Sequence, residues 1–460
     1  MVVAMSQEEV VVVRILGQPS GSGLSGSSAD GLRMFGSYLP IVGPFDGLVV
    51  GVSSSPELIR SAERGLPESA GRAEAVAVRL RRSGVAVRLE TDPVSGPGDL
   101  ERRCREHGRS SVAMIRANPS LLSELHVGSW FHARWQVRLA RRLACRIPLA
   151  VRALHRAAPG TWSARLLADA AFWAGVRVEA STAEWHRFTR SSYVALCYHR
   201  VAGDNKPGQE RLDVPPPTFE RQLQVLRRLR FRPLSADEWL RFHGMRTARL
   251  PPRSYLLTFD DGFLDAVEAA RRHPAHHPQL YVPTAAVGRS LEWAPDDALA
   301  DWQDLRSAAR AGIAVGSHGR HHRPLAGLEA AAVGEEVAGS LEDLRAQLDW
   351  VLPVLAYPNG RHDHAARAAA LAAGYQAAFT TEVGRNGAGT DVLCLRRLSV
   401  KAWDTPLALV WKVLTGEPLP GGWERRLRRR HERRLAHAQG RSGTGRESRD
   451  QPMRRSRASR

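Results

Sequence analysis

Lysine and cysteine are scarce in this chain of 460 residues, and long apolar runs are absent. Only three of the 66 basic residues are lysines, so arginine supplies almost all of the formal net charge of +19. The four cysteines stand far apart, which excludes a disulfide-stapled mini-protein and a zinc ribbon and predicts separate thiols in a reducing compartment. No stretch of about 18 consecutive apolar residues occurs, so no transmembrane helix is expected.

The first residues lack the features of a secretion signal. Residues 1–16 contain Glu8, Glu9 and Arg14 and have no basic segment followed by an uninterrupted apolar one. We therefore expect a cytoplasmic protein, or one held peripherally at the inner face of the membrane. Residues 1–45, with a Gly/Ser-rich stretch at 17–30, are predicted to form a flexible leader.

Positive charge is concentrated at the C-terminus. Residues 424–460 contain 14 arginines and only four acidic residues, and the part after Gln439 is rich in Ser, Gly and Arg. This composition predicts a disordered tail that could contact anionic lipid or nucleic acid. Nucleic acid is the less favoured partner, because no RNA-binding aromatic motif or helix-turn-helix accompanies the tail.

A second basic stretch, residues 125–168, contains no acidic residue. Apolar residues recur every four positions and predict one helical stripe, formed by Phe131, Trp135, Leu139, Leu143 and Ile147. Arginines run beside the stripe at Arg134, Arg138, Arg142 and Arg146. We expect the stripe to pack on its own domain. The alternative is that residues 131–156 lie on an anionic membrane surface.

Strands and helices alternate in two parts of the chain. In residues 46–190, strands are predicted at 47–52, 84–90 and 110–117, with a helix over 56–82 and further helices to about Arg190. This predicts a small α/β accessory domain with a helical extension. It has no GxGxxG or P-loop spacing, so it carries no nucleotide prediction, and its role is not indicated.

A second α/β domain is predicted over residues 191–415. Apolar strands at 193–201, 254–262, 285–288, 313–318, 354–360, 377–381 and 394–400 alternate with helices. This order predicts a parallel sheet or barrel. Polar residues follow several of the strands, namely His199, Asp260, Asp261, His318 and Asn359. Such positions form the site in barrel enzymes.

The strongest chemical signal combines two carboxylates with two histidines. Asp260 and Asp261 leave a strand in different directions, so one could bind a metal while the other acts as a base. His318 and His322 are four residues apart and could converge on one ion if the segment turns helically. With one carboxylate they would make a two-histidine, one-carboxylate set. His321 leaves the pair His318–His321 open.

The stretch from Tyr193 to Trp403 resembles the polysaccharide deacetylase family, also known as the NodB-homology group or carbohydrate esterase family 4. The matching segments occur in family order and are YHRV (198–201), LTFDDGF (257–263), DWQDLR (301–306), GSHGRHHRPL (316–325), AYPNG (356–360), GYQAAFTT (374–381) and LRRLSV (395–400). The resemblance implies a distorted (β/α) barrel. It also implies a hydrolase of carbon–nitrogen bonds that removes acetyl groups from N-acetylhexosamine units in an exopolysaccharide, another polysaccharide or a lipid-linked precursor.

The same resemblance implies a role for each matching residue. Asp260 would be the general base, and Asp261, His318 and His322 would hold a divalent metal ion, zinc before others. Tyr357 would stand where a backbone amide stabilises the oxyanion. His199 would be the general acid, because the family's late Leu-x-His motif is absent.

Two positions depart from the family pattern. Gly319 stands where many members have Ser or Thr, and Ala356 stands where many have the arginine that orients the base. Arg397 is a candidate replacement for that arginine. The departures favour one alternative, a catalytically degenerate module that binds glycan or membrane. Another alternative is an O-acetyl carbohydrate esterase, whose mechanism differs only in the leaving group.

Overall fold

A computed structural model of the chain describes residues 10–16, 49–53, 86–92, 95–203, 212–245 and 248–443. The predicted helix over 56–82, most of the predicted leader and the end of the predicted tail, 444–460, lie outside the described residues.

Three strands near the N-terminus form a small sheet in the order β2–β1–β3. They are β1 (Val10–Leu16), β2 (Val49–Ser53) and β3 (Ala86–Asp92). β1 pairs antiparallel with β2 and parallel with β3. β2 and β3 lie where strands were predicted. The prediction of a flexible leader is wrong for β1, whose run of valines favours an extended conformation.

Five helices follow and form the helical extension that the sequence predicted up to about Arg190. They are α1 (Pro97–Ala117), α2 (Trp135–Ala144), α3 (Pro148–Ala157), α4 (Thr161–Glu179) and α5 (Thr182–Thr189). The strand predicted at 110–117 is wrong, because these residues end α1. Leu100, Cys104 and Val112 are buried at helical spacing on the face of α1 that packs against α4.

The apolar stripe of residues 131–147 does not pack as expected. Phe131 is buried, but Leu139, Leu143 and Ile147 are exposed. α2 turns a different face inward, made of Val137, Arg138, Arg141 and Ala144. The expectation is therefore wrong for three of the five stripe residues. Two arginines fix the inward face. Arg138 donates to the carbonyl oxygens of Ala133 and Thr415, and Arg141 forms an ion pair with Asp169.

The second domain is a nearly closed barrel of mostly parallel strands, which confirms the predicted distorted (β/α) barrel. Its strands are β4 (Ser192–Tyr198), β5 (Arg232–Pro233), β6 (Ser254–Phe259), β7 (Gln279–Val282), β8 (Ala314–Ser317), β9 (Val354–Ala356), β10 (Ala377–Phe379), β11 (Asn386–Gly387) and β12 (Arg397–Ser399). The main order is β10–β9–β8–β7–β6–β4–β11, with β12 beside β4 and β5 beside β6. Only β11 runs antiparallel to its neighbour.

The segment that contains β12 closes most of the gap between the two ends of this sheet. β12 runs parallel to β4, and Leu395 just before it forms a parallel bridge with Phe379 of β10. Every residue of β4 and β6 is buried, as expected for parallel strands covered on both faces. The segment around β12 thereby links β4 to β10.

Helices connect the barrel strands and cover them. They are α6 (Pro216–Arg228), α7 (Ala236–Gly244), α8 (Leu264–Arg272), α9 (Trp302–Arg310), α10 (Ala330–Gly334), α11 (Ser340–Gln347) and α12 (His364–Ala373), with a π-helical turn at Glu335–Gly339 joining α10 to α11. The strand predicted at 285–288 is wrong. β7 ends at Val282, and the next residue, Pro283, has no N–H to continue a ladder.

Two further helices, α13 (Pro406–Thr415) and α14 (Gly421–Gly443), complete the described chain. The prediction of a disordered tail is wrong for residues 424–443. Arg428 pairs with Glu432 one turn later at 2.9 Å, and Leu427 packs in a cluster with Trp403, which stabilise the helix at its start. Among the helices described, none has the length and apolarity needed to cross a bilayer.

Candidate metal and catalytic site

The two adjacent carboxylates lie at the end of β6, where the chain turns sharply. Asp261 has φ 69° and Gly262 has φ 75°, both in the left-handed region. A side chain at position 262 would begin 3.0 Å from a methyl group of Val282, so glycine is needed here for space as well as conformation. Asp260 and Asp261 are both buried, and each faces different partners.

Asp261 meets two histidines from the end of β8. Its Oδ1 lies 3.3 Å from Nε2 of His318 and 3.2 Å from Nε2 of His322. The two rings were expected to converge if this segment turned helically, but the segment is not helical. Instead Gly319 and His322 both take positive φ, which brings the two rings to a centroid separation of 4.9 Å. The alternative residue, His321, faces Glu336, with Nδ1 at 2.9 Å from Oε1.

These three residues fit a divalent cation. Nδ1 of His318 lies 2.7 Å from the carbonyl oxygen of Ala356, which can only accept, so this nitrogen carries the hydrogen and Nε2 is directed to the site. Burial would lower the pKa of His318, yet Asp260 and Asp261 raise it above its usual value. The site therefore favours positive charge at the place where a metal ion would bind.

Asp260 is held by a buried arginine. Nη1 of Arg397 lies 2.6 Å from Oδ1 of Asp260, and the Arg397 Nε donates to the carbonyl of Thr380 at 3.1 Å. Burial would raise the pKa of Asp260, but the charges of Arg397 and then His318 hold it below its usual value. Asp260 is thus ionised at neutral pH and able to accept a proton.

The tip of β4 brings Cys197 and His199 to the same carboxylate. The Cys197 thiol donates to Oδ2 of Asp260 at 3.4 Å, and His199, half-buried, has a buried Nδ1 with no hydrogen-bond partner in the described chain. Ligand atoms of Cys197, His199 and Asp260 lie within 4.8 Å of one another, as do those of Asp261, His318 and His322. The second group suits a cation better, because Arg397 already places a positive charge beside Asp260.

Tyr357 does not have a free backbone amide. Its N–H donates to the carbonyl of Phe379 at 2.9 Å, and its buried ring stacks on His362. This contact contradicts the expected role of the Tyr357 amide in binding the oxyanion. Two residues later, Asn359 is exposed with φ 54°, and its N–H donates to no group in the described chain. The chain thus offers a free amide at position 359.

Sequence reasoning missed the residue that anchors the histidine loop. Glu336, in the π-helical turn, is buried and accepts hydrogen bonds from the N–H groups of Arg320 at 3.0 Å and His321 at 2.9 Å. A side chain at Gly319 would begin 3.2 Å from Glu336 and from Pro358. Glycine therefore permits this close approach, and the loop is anchored without Ser or Thr at position 319. The sequence gives no signal for Glu336 beyond its place in a helix.

A second missed residue is Arg200, next to His199. Its buried guanidinium lies 3.0 Å from Asp265 and 3.3 Å from both Asp213 and Asp297. Asp265 also accepts the N–H of Val201 at 3.0 Å. These contacts fix the tip of β4, and with it the backbone that carries His199. The YHRV segment was the available signal, but it did not identify the three carboxylates.

An exposed tryptophan stands at the edge of the site. Trp293 is 43% exposed, and its ring centroid lies 6.4 Å from that of His322 and 5.8 Å from that of Phe263. An indole ring in this position offers an apolar face to a molecule bound at the metal ligands. The sequence alone gave no reason to select it among twelve tryptophans.

Comparison with known proteins agrees with this geometry. Residues 247–378 match the family model described as polysaccharide deacetylase, and this range contains both carboxylates, both histidines and the loop at 356–360. No curated protein sequence matches the chain significantly.

Matches to solved structures include the following three. The Streptococcus pyogenes deacetylase PplD, in complex with acetate, is 24% identical, with a TM-score of 0.43, covering 50% of this chain and 100% of that one. IcaB from Ammonifex degensii is 22% identical, with a TM-score of 0.42, covering 49% and 97%. The BpsB deacetylase domain from Bordetella bronchiseptica is 21% identical, with a TM-score of 0.39, covering 45% and 96%.

Proposed function

From the match of residues 247–378 to the polysaccharide deacetylase model, we propose that the chain is a metal-dependent N-deacetylase of N-acetylhexosamine units in a polysaccharide or its lipid-linked precursor. One observation carries the proposal. The carboxylate Asp260, kept ionised by Arg397, lies beside a second carboxylate that meets two imidazoles. A base next to a cation site is an arrangement that supports metal-assisted hydrolysis of an amide.

Asp261, His318 and His322 are the residues that would hold the ion. Two imidazoles and one carboxylate suit Zn²⁺, and they leave room for water and substrate. The ion would polarise the acetamide carbonyl and lower the pKa of a water molecule. The hydrogen bond from His318 Nδ1 to Ala356 keeps the imidazole oriented for this purpose.

The remaining residues would move protons and stabilise charge. Asp260 accepts the proton of the attacking water, since Arg397 holds its pKa low enough for it to be ionised. His199 protonates the departing nitrogen; its Nδ1 has no competing partner in the described chain. The N–H of Asn359 donates to the oxygen that gains negative charge, in place of the engaged amide of Tyr357.

Trp293 supports a carbohydrate as the substrate. Its exposed indole lies next to His322, so a sugar ring whose acetamide reaches the metal ligands could place an apolar face on it.

Acetate release from N-acetylglucosamine oligomers tests the proposal. Metal-loaded protein should release acetate, a chelator should abolish the release, and Asp260→Asn should lower kcat by about a thousandfold or more. Asp349→Asn, an exposed carboxylate on the same domain, should leave the rate unchanged. If the metal-loaded protein releases no acetate, or if Asp260→Asn matches the wild type, the proposal is wrong.

A His199→Ala variant, assayed on amide and ester substrates, distinguishes an N-deacetylase from an O-acetyl esterase. An amine must be protonated as it leaves, whereas an alkoxide is a better leaving group and depends less on an acid. An N-deacetylase should therefore lose more activity on an amide than on an ester when His199 becomes Ala. The degenerate-module alternative lacks support, because Arg397 and Glu336 supply contacts of the kind that Ala356 and Gly319 do not.

A further inference from the structure

The helix pair α2–α3 exposes an unusual number of large apolar side chains. Five of them form what we call the α2–α3 face, namely Leu139 (47% exposed), Leu143 (48%), Ile147 (54%), Leu149 (72%) and Leu154 (39%). They come from 16 consecutive residues that span two short helices and the link between them. Single exposed apolar residues are common on proteins, but a group of this size on one helix pair marks a contact surface.

The inward side of the pair is fixed, so the apolar side chains cannot turn inward. Arg141 of α2 makes a two-bonded ion pair with Asp169 of α4, with both hydrogen bonds at 2.8 Å. Arg152 of α3 pairs with Glu101 of α1, and His155 lies 2.9 Å from the Ser163 hydroxyl. α2 and α3 are thus attached to α1 and α4 by polar contacts. Their exposed leucines are a consequence of the folded state.

Exposed arginines lie beside the leucines of the face. Arg142 and Arg146 alternate with the leucines of α2, Arg156 lies near the end of α3, and all three are exposed. Residues 125–168 contain no acidic side chain that could neutralise them locally. Glu101 of α1 pairs with Arg152, whereas Arg142, Arg146 and Arg156 form no ion pair within the part of the chain that the structure describes. Exposed leucines beside exposed arginines are complementary to a surface that offers hydrocarbon beside phosphate.

We propose that the α2–α3 face docks this protein on the surface of an anionic lipid bilayer, with Leu143 and Leu149 at the acyl boundary and Arg142 and Arg146 at the phosphates. An amphipathic pair of short helices reaches only the interface of a bilayer. The inference is independent of the chemistry proposed for the barrel. It would keep the enzyme near lipid-linked or membrane-emerging glycan.

Vesicle flotation of the full chain tests this docking. The protein should float with phosphatidylcholine vesicles that contain about 30% phosphatidylglycerol and should bind pure phosphatidylcholine at least about tenfold less. The double variant Leu143→Ser, Leu149→Ser should reduce binding to the anionic vesicles about tenfold or more. Leu371→Ser, which alters an exposed leucine on α12 (66% exposed), is the control and should bind like the wild type.

The leucine variants also separate this face from the arginine-rich helix α14. Serine substitution leaves the net charge unchanged, so binding that depends on α14 alone would persist in the double variant, and this would overturn the proposal. Failure of the wild type to bind anionic vesicles would overturn it as well. The proposal would also be overturned if the wild type forms a concentration-dependent dimer and binds no vesicles, while the double variant is a monomer. A second copy of the chain would then cover the face. Unchanged thermal unfolding of the variant confirms that it folds.

Discussion

The guanidinium of Arg397 lies 2.6 Å from the carboxylate of Asp260, although the two residues are 137 positions apart. Arg397 belongs to β12, which runs beside β4. β6, another neighbour of β4, ends at Phe259, directly before Asp260. The strand that nearly closes the barrel therefore also delivers the partner of the proposed base. One strand, β12, thus contributes both to barrel closure and to the contacts of the site.

Replacing Arg397 should move the pH dependence of the reaction. Arg397 lowers the pKa of Asp260, so in Arg397→Ala this pKa rises and the acid limb of the kcat/KM profile shifts to higher pH. We expect kcat to fall by about a hundredfold at neutral pH. Arg397→Lys keeps the charge and should leave the acid limb near its original position.

The control for this experiment is a pair on the surface of the same domain. Arg232 lies 2.8 Å from Glu238 and is largely exposed, so Arg232→Ala should alter neither the profile nor the rate. An acid limb that stays in place in Arg397→Ala would show that Arg397 does not tune the base.

Zinc affinity should differ between variants of two neighbouring histidines, His321 and His322. His322→Ala removes an imidazole that lies 3.2 Å from Asp261, and we expect zinc affinity to fall by about a hundredfold or more. His321→Ala removes an imidazole that instead contacts Glu336, and should keep nearly full zinc binding. Isothermal titration with zinc measures both. Equal losses in the two variants would contradict the assignment of His322 as a ligand.

The sequence predicted most of the barrel because its signals are local. Strands that match β4, β6, β8, β9, β10 and β12 were predicted from apolar runs, and helices were predicted at 218–229, 330–348 and 364–373. The helices α7, α8 and α9 were not placed. Predictions of secondary structure were wrong where tertiary contacts determine it. Residues 110–117 have strand-like composition, but burial against α4 makes them helical. The start of the tail became a helix because Leu427 finds an apolar cluster.

The site was predicted to a similar extent. The spacing and the family resemblance led to Asp260, Asp261, His318 and His322, and the structure brings these four together. Glu336 could not be found, since a glutamate in a helix has no sequence mark of burial. The Tyr357 amide was misjudged because its hydrogen bond to Phe379 depends on the pairing of strands that are distant in sequence.

Glu336 should control metal affinity without touching the metal. In the wild type, Oε2 of Glu336 accepts the backbone N–H groups of Arg320 and His321, and Oε1 contacts the His321 ring. Glu336→Gln replaces one of these two acceptor oxygens with an amide NH₂ donor. The histidine loop loosens, and we expect zinc affinity to fall about tenfold to a hundredfold. Glu335→Gln changes the adjacent, exposed glutamate and should have little effect. Identical zinc titrations for the two variants would refute this anchoring role.

Trp293 should matter for substrate binding more than for chemistry. Trp293→Ala removes the exposed ring beside His322, so KM for a glucosamine oligomer should rise about tenfold while kcat changes little. Trp350→Ala, a tryptophan of similar exposure elsewhere on the domain, is the matched control. A drop in kcat at unchanged KM would place Trp293 in a different role.

Asp169 should be essential for the stability of the helical extension. Asp169→Asn leaves the Arg141 guanidinium buried without its counter-charge, and we expect a loss of about 3–5 kcal/mol in the free energy of unfolding. Asp99→Asn breaks the exposed pair with Arg102, also short at 2.6 Å, and should cost at most about 1 kcal/mol. Urea unfolding followed by circular dichroism measures both.

The dependence of this loss on pH follows from the Asp169 carboxyl. Burial would raise its pKa, but Arg141 and His126 hold it well below its usual value. A depressed pKa stabilises the folded state above about pH 4, the ordinary value for Asp, and this contribution disappears as the pH falls below it. The stability difference between wild type and Asp169→Asn should therefore be constant near neutrality and shrink under acid conditions. A difference that stays constant down to strongly acid pH would mean that the pair contributes through packing and not through charge.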